Sequence, residues 1–244
     1  MALGSHPASK LQCPLVRKLL EVIASTVEDA VEAELGGADR IELCRALMVG
    51  GLTPDSMLVR QVMKRASIPV RVMLRETDAP TTYGEAEFAR IEEHLLRIHD
   101  IEVDGLVMGF VRNGEVETQK LERVLTLAPN RRVTFHRAFD EVADRIAALQ
   151  VLKRYSQVDR ILTNGVDDDP DGRRKRLEGL QSAAAPEITI IAAGGTDEQM
   201  LRSLAASSII REIHIGRAAR MPAIHTGPVM RDRVERVRRL IDEG

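Results

Sequence analysis

The sequence predicts an α/β protein that folds as one (β/α)8 TIM barrel. Short apolar runs alternate with amphipathic helical stretches, and this alternation repeats eight times along the 244 residues. Strands that alternate with helices form parallel βαβ units. Eight such units fit a closed barrel better than an open doubly wound sheet, which usually has fewer strands and a longer break at its switch point. No linker or low-complexity segment divides the chain, and an open Rossmann-like sheet stays as the structural alternative.

Eight runs rich in β-branched and aliphatic residues predict the strands, since strands buried on both faces have this composition. They lie at 19–25, 40–44, 69–75, 105–110, 131–137, 160–164, 188–194 and 212–216.

The stretches between these runs have helical periodicity. Thr26 or Ser25 is the expected N-cap of the first helix, and Pro54, Pro170 and Pro228 are expected in first helical turns, where proline is tolerated. The predicted helices lie at 26–35, 54–66, 84–99, 117–128, 141–154, 170–183, 196–206 and 228–242.

Composition excludes several classes of protein. A formal net charge of −2 gives no basic field for nucleic acid or a membrane surface, and 2% aromatic residues argue against a base-stacking platform. Cys13 and Cys44 do not make a disulfide framework, which favours a reduced, cytoplasmic setting. No apolar run is long enough to span a membrane. Residues 1–17 lack a secretory h-region and are predicted to be a loose leader, so that the barrel domain covers 18–244.

Alternation along each predicted strand separates outward from inward side chains. The outward face packs under helices and must be apolar, so Ile41 and Leu43 face outward and Glu42 and Cys44 face inward. The same argument directs charged residues of four other strands into the interior, namely Glu21, Arg71, Arg75, His136 and His214.

Buried charges need partners, and Arg71 or Arg75 is the expected partner of Glu42. The interior is therefore either a structural ion-pair network or a polar pocket for a metal or for an anionic or carbonyl substrate.

Three of these residues, Glu42, Arg75 and His136, are candidates for catalysis, together with Asp140. Arg75 ends its strand and is the best anchor for an anion, because a guanidinium binds carboxylate or phosphate with two donors. His136, in "TFHRAFD", is a candidate general acid or base that moves protons with Glu42 or Glu21, and Asp140 lies close by in the following loop. The alternative is a hydrogen-bonded core histidine. No lysine falls at an inward strand position, which disfavours a Schiff base.

Glycines end the last two predicted strands. Gly194 and Gly195 follow the seventh strand, and Gly216 with Arg217 follows the eighth. Loops at these positions of a barrel often bind phosphate through backbone N–H groups. Together with Arg75, these residues form the predicted anion site, and simple tight turns are the alternative.

Metal chemistry is only weakly indicated. The chain has neither CxxC nor HxH spacing, which argues against a zinc site. Cys44 is the candidate Cu(I) ligand, with Met73 and Met108 as thioether partners and with His136 and His214 as sources of nitrogen. The alternative for Cys44 is a small buried hydrophobic residue.

The sequence resembles the CutC family, described as copper homeostasis proteins. The similarity covers nearly the whole chain after the leader, and it is carried by blocks at 19–55, 68–75, 104–110, 133–140, 160–165, 191–196 and 211–216. The resemblance implies a TIM barrel, a homodimer or higher oligomer, and a cytoplasmic protein that handles copper. It further implies Cu(I) binding through a cysteine, and the matching position is Cys44. The loop "ETDAPTTYGEAEF", 76–88, departs from the family pattern.

Three hypotheses follow. The protein is a copper homeostasis protein that binds Cu(I), or a lyase, aldolase or isomerase that acts on a small phosphorylated or carboxylated metabolite. In the third, the barrel charges are structural and the protein is a non-catalytic scaffold. The expected partner is thus a copper ion or a small anionic metabolite.

Overall fold

A computed structural model describes residues 17–77, 84–166 and 169–243 of the chain. Within these ranges eight parallel strands close into a barrel in the order β1-β10-β9-β8-β7-β4-β3-β2, which confirms the predicted (β/α)8 fold. The strands are β1 Leu19–Ala24, β2 Arg40–Leu43, β3 Val70–Met73, β4 Gly105–Met108, β5 Val111–Arg112, β6 Glu115–Val116, β7 Arg132–Phe135, β8 Val158–Thr163, β9 Thr189–Ala192 and β10 Glu212–Ile215.

Helices follow the barrel strands at the predicted places. They are α1 Val27–Leu35, α2 Ser56–Met63, α3 Glu85–Ile98, α4 Thr118–Leu127, α5 Arg145–Leu152, α6 Pro170–Ala184, α7 Glu198–Ala205 and α8 Arg231–Asp242. Thr26 is the N-cap of α1, where its side chain accepts the Asp29 N–H, and Pro170 occupies the first turn of α6. No helix among the described residues is long and apolar enough to cross a membrane.

Two predicted helix starts are wrong. Pro54 precedes α2 because Asp55 is the N-cap and accepts a hydrogen bond from Leu58. Pro228 precedes α8 because the next residue, Val229, donates its N–H to Asp29 and is therefore held in extended backbone.

Two local structures differ from the predicted strands and helices. β5 and β6 form a hairpin around Asn113 and Gly114, which have φ of 54° and 78°. An Asn-Gly pair is the sequence signal of such a turn. The fifth helix begins at Arg145 instead of residue 141, because Arg137–Glu141 forms a 3-10 turn and Asp144 caps the helix.

The predicted leader, 1–17, lies outside the described residues except for Arg17, and it stays a prediction. Part of the divergent loop, 78–83, also lies outside them.

The barrel interior confirms the alternation argument. Ile41 and Leu43 pack in the outer apolar core beneath the helices. The inward residues are all at most 8% exposed, namely Glu21, Glu42, Arg71, Arg75, His136 and His214.

An ion-pair network fills the base of the barrel, at the N-terminal ends of the strands. Arg40 lies 2.5 Å from Glu21 and 2.6 Å from Glu212, and Arg160 lies 2.8 Å from the same Glu212. Opposite charges at these distances offset the desolvation cost of burial. This part of the interior is therefore structural.

Arg71 forms further ion pairs at the N-terminal end of the barrel. Its guanidinium lies 2.8 Å from Asp104 and 2.7 Å from Asp159, and it also donates to Thr134. The expected pairing of Glu42 with Arg71 or Arg75 is wrong, since no hydrogen bond or ion pair joins them among the described residues. Arg71 instead binds carboxylates that lie below it.

Replacing Arg71 with Ala will remove the cation that pairs with Asp104 and one of the cations that pair with Asp159, which keeps Arg160. We expect the free energy of unfolding to fall by about 3 to 5 kcal/mol, as for other broken buried pairs. Urea denaturation monitored by circular dichroism measures this. The matched control is Arg60→Ala, which breaks the exposed ion pair with Asp100 and is expected to change stability little. Equal losses in both variants would contradict the structural role of the network.

Candidate functional site

A cavity of about 780 Å³ opens at the C-terminal end of the barrel. The structure brings most of the predicted site residues to its wall. The deep part is lined by Glu42, Arg75, His136 and His214, and the rim includes Gly194–Asp197, Gly216 and Arg217.

Glu42, on β2, lies above the ion-pair network but is not part of it. The side chain is buried, and its Oε2 has no hydrogen-bond partner among the described residues. Burial raises the pKa of Glu42 to about 7, against the lowering effect of the nearby His214 charge. Glu42 is therefore present in both protonation states near neutral pH, as a general acid or base requires.

His214, on β10, connects Glu42 to the network. Its Nδ1 lies 2.8 Å from Oε1 of Glu21, which also binds Arg40. Burial opposes the charged imidazole, but Glu42 and Glu21 outweigh it and raise the pKa of His214. Burial alone would raise the pKa of Glu21, but the interactions with Arg40 and His214 outweigh burial, so the pKa of Glu21 is lowered.

Glu21, Glu42 and His214 are also close enough to share a metal ion, since one ligand atom from each lies within 4.8 Å of the others. Their oxygen and nitrogen donors suit a divalent cation better than Cu(I). Arg40 already supplies positive charge to this group, 2.5 Å from Glu21.

His136 follows β7 and lines the cavity. Its Nδ1 accepts the Ala138 N–H at 3.1 Å, so in the neutral ring the proton is on Nε2. Nε2 is buried and has no partner in the described part of the chain. Burial, helped by the Arg75 charge, lowers the pKa of His136 to about 3, which keeps the ring neutral at pH 7. Gly109 makes room for it, because a Cβ there would lie 2.6 Å from Nδ1.

Arg75 is positioned by the loop that follows β2. Thr53 exchanges hydrogen bonds with the Arg75 backbone, and Nη1 donates to the Gly51 carbonyl at 3.3 Å. Gly50 has φ of 86°, and a Cβ at that position would lie 2.8 Å from Nη1. The glycine pair therefore lets the loop pack closely over the guanidinium.

Asp140 is not joined to His136, although the sequence places them four residues apart. Its carboxylate accepts hydrogen bonds from Thr163 Oγ1 at 2.5 Å, the Asn164 N–H at 3.2 Å and Arg137 Nε at 2.9 Å. In the structure Asp140 ties the loop after β7 to the end of β8, and its predicted catalytic role stays a prediction.

The predicted anion-binding glycines lie in the loop after β9. Gly194 and Gly195 have φ of 75° and 58°, and neither backbone N–H donates a hydrogen bond to a described residue. Arg217 follows Gly216 in the loop after the neighbouring strand, β10, and also lines the cavity.

Sequence reasoning missed the arginines that reach the rim from neighbouring elements. Arg137 follows His136, and Arg233 and Arg236 extend from α8. A charged helix face such as that of α8 has the same sequence pattern whether it meets solvent or a cavity.

Cys44 lies outside this cavity. It is fully buried and packs with Ile23, Leu47, Met73 and Val107. Burial raises the pKa of its thiol well above the usual value. Met108 packs in the outer core, on the opposite face of the barrel wall, so its expected role as a thioether partner of Cys44 is wrong.

Comparisons with known proteins agree on one family. The model of the CutC family matches residues 18–219. The human "Copper homeostasis protein cutC homolog" is 36% identical over 197 residues, which are 80% of this chain and 72% of that protein. A CutC family protein of Salmonella paratyphi A is 34% identical over 207 residues, 84% of this chain and 82% of its own length.

Among solved structures, CutC from Streptococcus agalactiae superposes with a TM-score of 0.74 at 27% identity. The match covers 82% of this chain and 98% of that one.

The buried neutral His136 makes stability depend on pH. Its folded pKa of about 3 lies below the ordinary 6.5, so its contribution is complete above pH 6.5 and is lost as pH falls toward 3. At pH 5 the free energy of unfolding is therefore lower by about 2 kcal/mol, since each pH unit below 6.5 removes roughly 1.4 kcal/mol. His136→Gln will remove this component, so the wild type will lose about 2 kcal/mol more than the variant between pH 7.5 and pH 5. Urea denaturation at both pH values measures it, and parallel curves would contradict it.

Proposed function

Since the chain belongs to the CutC family, we propose that it takes part in copper homeostasis and that it does so by acting on a small anionic metabolite in the barrel-mouth cavity. The names of its relatives support the first part. The geometry of the cavity supports the second. A cytoplasmic location and a homo-oligomeric state are part of the same proposal.

Direct Cu(I) binding at Cys44 has little support from the surrounding residues. Copper exchange needs an accessible thiolate, whereas this thiol is fully buried and its pKa is raised. Met73 contributes a thioether to the same cluster, but no second thiolate accompanies it among the described residues. A single thiolate is a weak site for a soft ion. The residues around Cys44 thus do not fit a copper-exchange site.

One observation carries the enzyme proposal. Glu42 and His136 line the same cavity, and each has a buried polar atom, Oε2 and Nε2, without a hydrogen-bond partner in the described part of the chain. Such atoms destabilise a fold unless water or a ligand binds them. An acid-base residue and a neutral donor that share a cavity are the parts of a proton-transfer site.

The arrangement fits proton transfer next to a carbonyl group, the step shared by many isomerases, lyases and aldolases. Arg75 binds an acidic group of the substrate, and His136 Nε2–H donates to the carbonyl oxygen, where negative charge develops. The Glu42 carboxylate takes the proton from the adjacent carbon and returns it to the product. Because no lysine lines the cavity in the described residues, the site does not support a Schiff-base intermediate.

The test starts from a pool of small metabolites. We expect the wild type to deplete an anionic compound from a cell extract, followed by liquid chromatography and mass spectrometry. Glu42→Gln will slow this depletion at least a hundredfold, because general acid-base catalysis contributes about 10² to 10⁴. Cys44→Ala is the control and is expected to retain activity. Equal depletion by Glu42→Gln and the wild type would refute the role of Glu42.

Copper binding is tested separately, by titrating the protein with Cu(I) under anaerobic conditions. We expect no tight site that Cys44→Ala removes, since the thiol is inaccessible and protonated. A stoichiometric site that is present in the wild type and lost in Cys44→Ala would restore the thiol hypothesis. This result would not bear on Glu42.

A further inference from the structure

We propose that the cavity contains a phosphoryl-binding subsite between the loops after β7, β8 and β9, formed by Arg137, Arg173 and the backbone N–H groups of Gly194 and Gly195. The ligand of the cavity is then a small phosphorylated metabolite. This inference rests on the proposed action of the cavity on an anionic metabolite, and it names the chemical class of that metabolite.

Arg173 is a half-buried cation that lacks a carboxylate partner among the described residues. From α6, its Nε donates to the Asn164 carbonyl, and its Nη2 donates to the carbonyls of Ala193 and Gly194. Its Nη1 donates no hydrogen bond to the described residues and lies 3.7 Å from the position of a Cβ on Gly195. Carbonyl oxygens orient the guanidinium but do not neutralise its charge.

Arg137 lies on the other side of the glycine pair. Its Nε binds Asp140, and its Cζ lies 3.5 Å from the position of a Cβ on Gly194. The two guanidiniums thus flank Gly194 and Gly195. Burial, reinforced by the Arg137 charge, lowers the pKa of Arg173, as expected for like charges that lack an intervening anion.

The glycine pair supplies the remaining donors. Both residues have positive φ, which an L side chain rarely adopts, and a side chain at either position would enter the space between the guanidiniums. Consecutive backbone N–H groups in such a turn form an anion-binding concavity.

Two carboxylates face this region, and both already accept hydrogen bonds from groups other than Arg173. Asp140 binds Thr163, Asn164 and Arg137, and Asp197 caps α7 by accepting the Met200 N–H. Neither forms an ion pair with Arg173 within the described ranges.

The directions of the donors favour a phosphoryl group over a carboxylate. They come from the loop after β7, from α6 and from the loop after β9, and the three terminal oxygens of a phosphate monoester point in three directions. The two oxygens of a carboxylate lie in one plane and are better matched by a single guanidinium.

The subsite also fixes the direction of the ligand. Arg137 directly follows His136, so one short segment presents a donor to the deep cavity and a cation to the rim. The phosphoryl group lies at the rim, and the reacting carbonyl group lies near His136 and Glu42. The substrate is therefore a small phosphorylated compound with a carbonyl or acidic group at its other end.

Isothermal titration of the full-length protein with inorganic phosphate tests the subsite, with acetate at matched ionic strength as the carboxylate probe. We expect phosphate to bind more tightly than acetate. Arg173→Gln and Arg137→Gln will each weaken phosphate binding at least tenfold, and Arg173→Lys will lose less because it keeps the charge. Arg60→Gln, which removes an exposed arginine on α2, is the matched control and will bind as the wild type does.

Three outcomes would overturn the proposal: no phosphate binding by the wild type, equal binding of acetate, or a loss confined to Arg217→Gln in the loop after β10. If Arg173→Gln does not fold, Arg137→Gln carries the test, since that side chain is half exposed. Metabolite depletion that continues without phosphate binding would refute the subsite and leave the enzyme proposal intact.

Discussion

The ion-pair network at the base of the barrel is the constraint on which the rest of the structure depends. Three arginines and four carboxylates share an interior that in many barrels is aliphatic, namely Arg40, Arg71, Arg160, Glu21, Glu212, Asp104 and Asp159. Burying any one of these charges alone would destabilise the fold, whereas contact between opposite charges offsets the desolvation cost. The strands must therefore keep a register that holds every guanidinium within reach of its carboxylates.

This network also explains the environment of Glu42 in the cavity above it. Arg71 and Arg40 are held below by other acids, so Glu42 is left as the carboxylate above them, with His214 as its nearest charged neighbour. Burial then raises the pKa of Glu42 into the neutral range. The raised pKa of Glu42 is thus linked to the pairing of the arginines with other carboxylates at the base of the barrel.

The family relationship and the site geometry point to different residues. The copper role of the relatives directs attention to Cys44, which lies in an apolar cluster in the barrel wall. The mouth cavity is instead lined by Glu42 and His136, each with a buried polar atom that lacks a hydrogen-bond partner among the described residues. A role in copper homeostasis through chemistry on a phosphorylated metabolite accommodates both, because it does not require the thiol to bind the metal.

The sequence by itself determined the eight βα units, the barrel and the inward direction of Glu42, Arg75, His136 and His214, because alternation along a strand is a local property. It did not determine which charges pair. Arg40, Asp104 and Asp159 lie at or near strand starts, and each pairs with a residue that is distant in the chain, which alternation along one strand does not identify. Arg233 and Arg236 reach the cavity from α8, where a charged face is the same in sequence whether it meets solvent or a cavity. Only the tertiary structure brought them to the mouth, because closure of the barrel sets the distances between residues that are far apart in the chain.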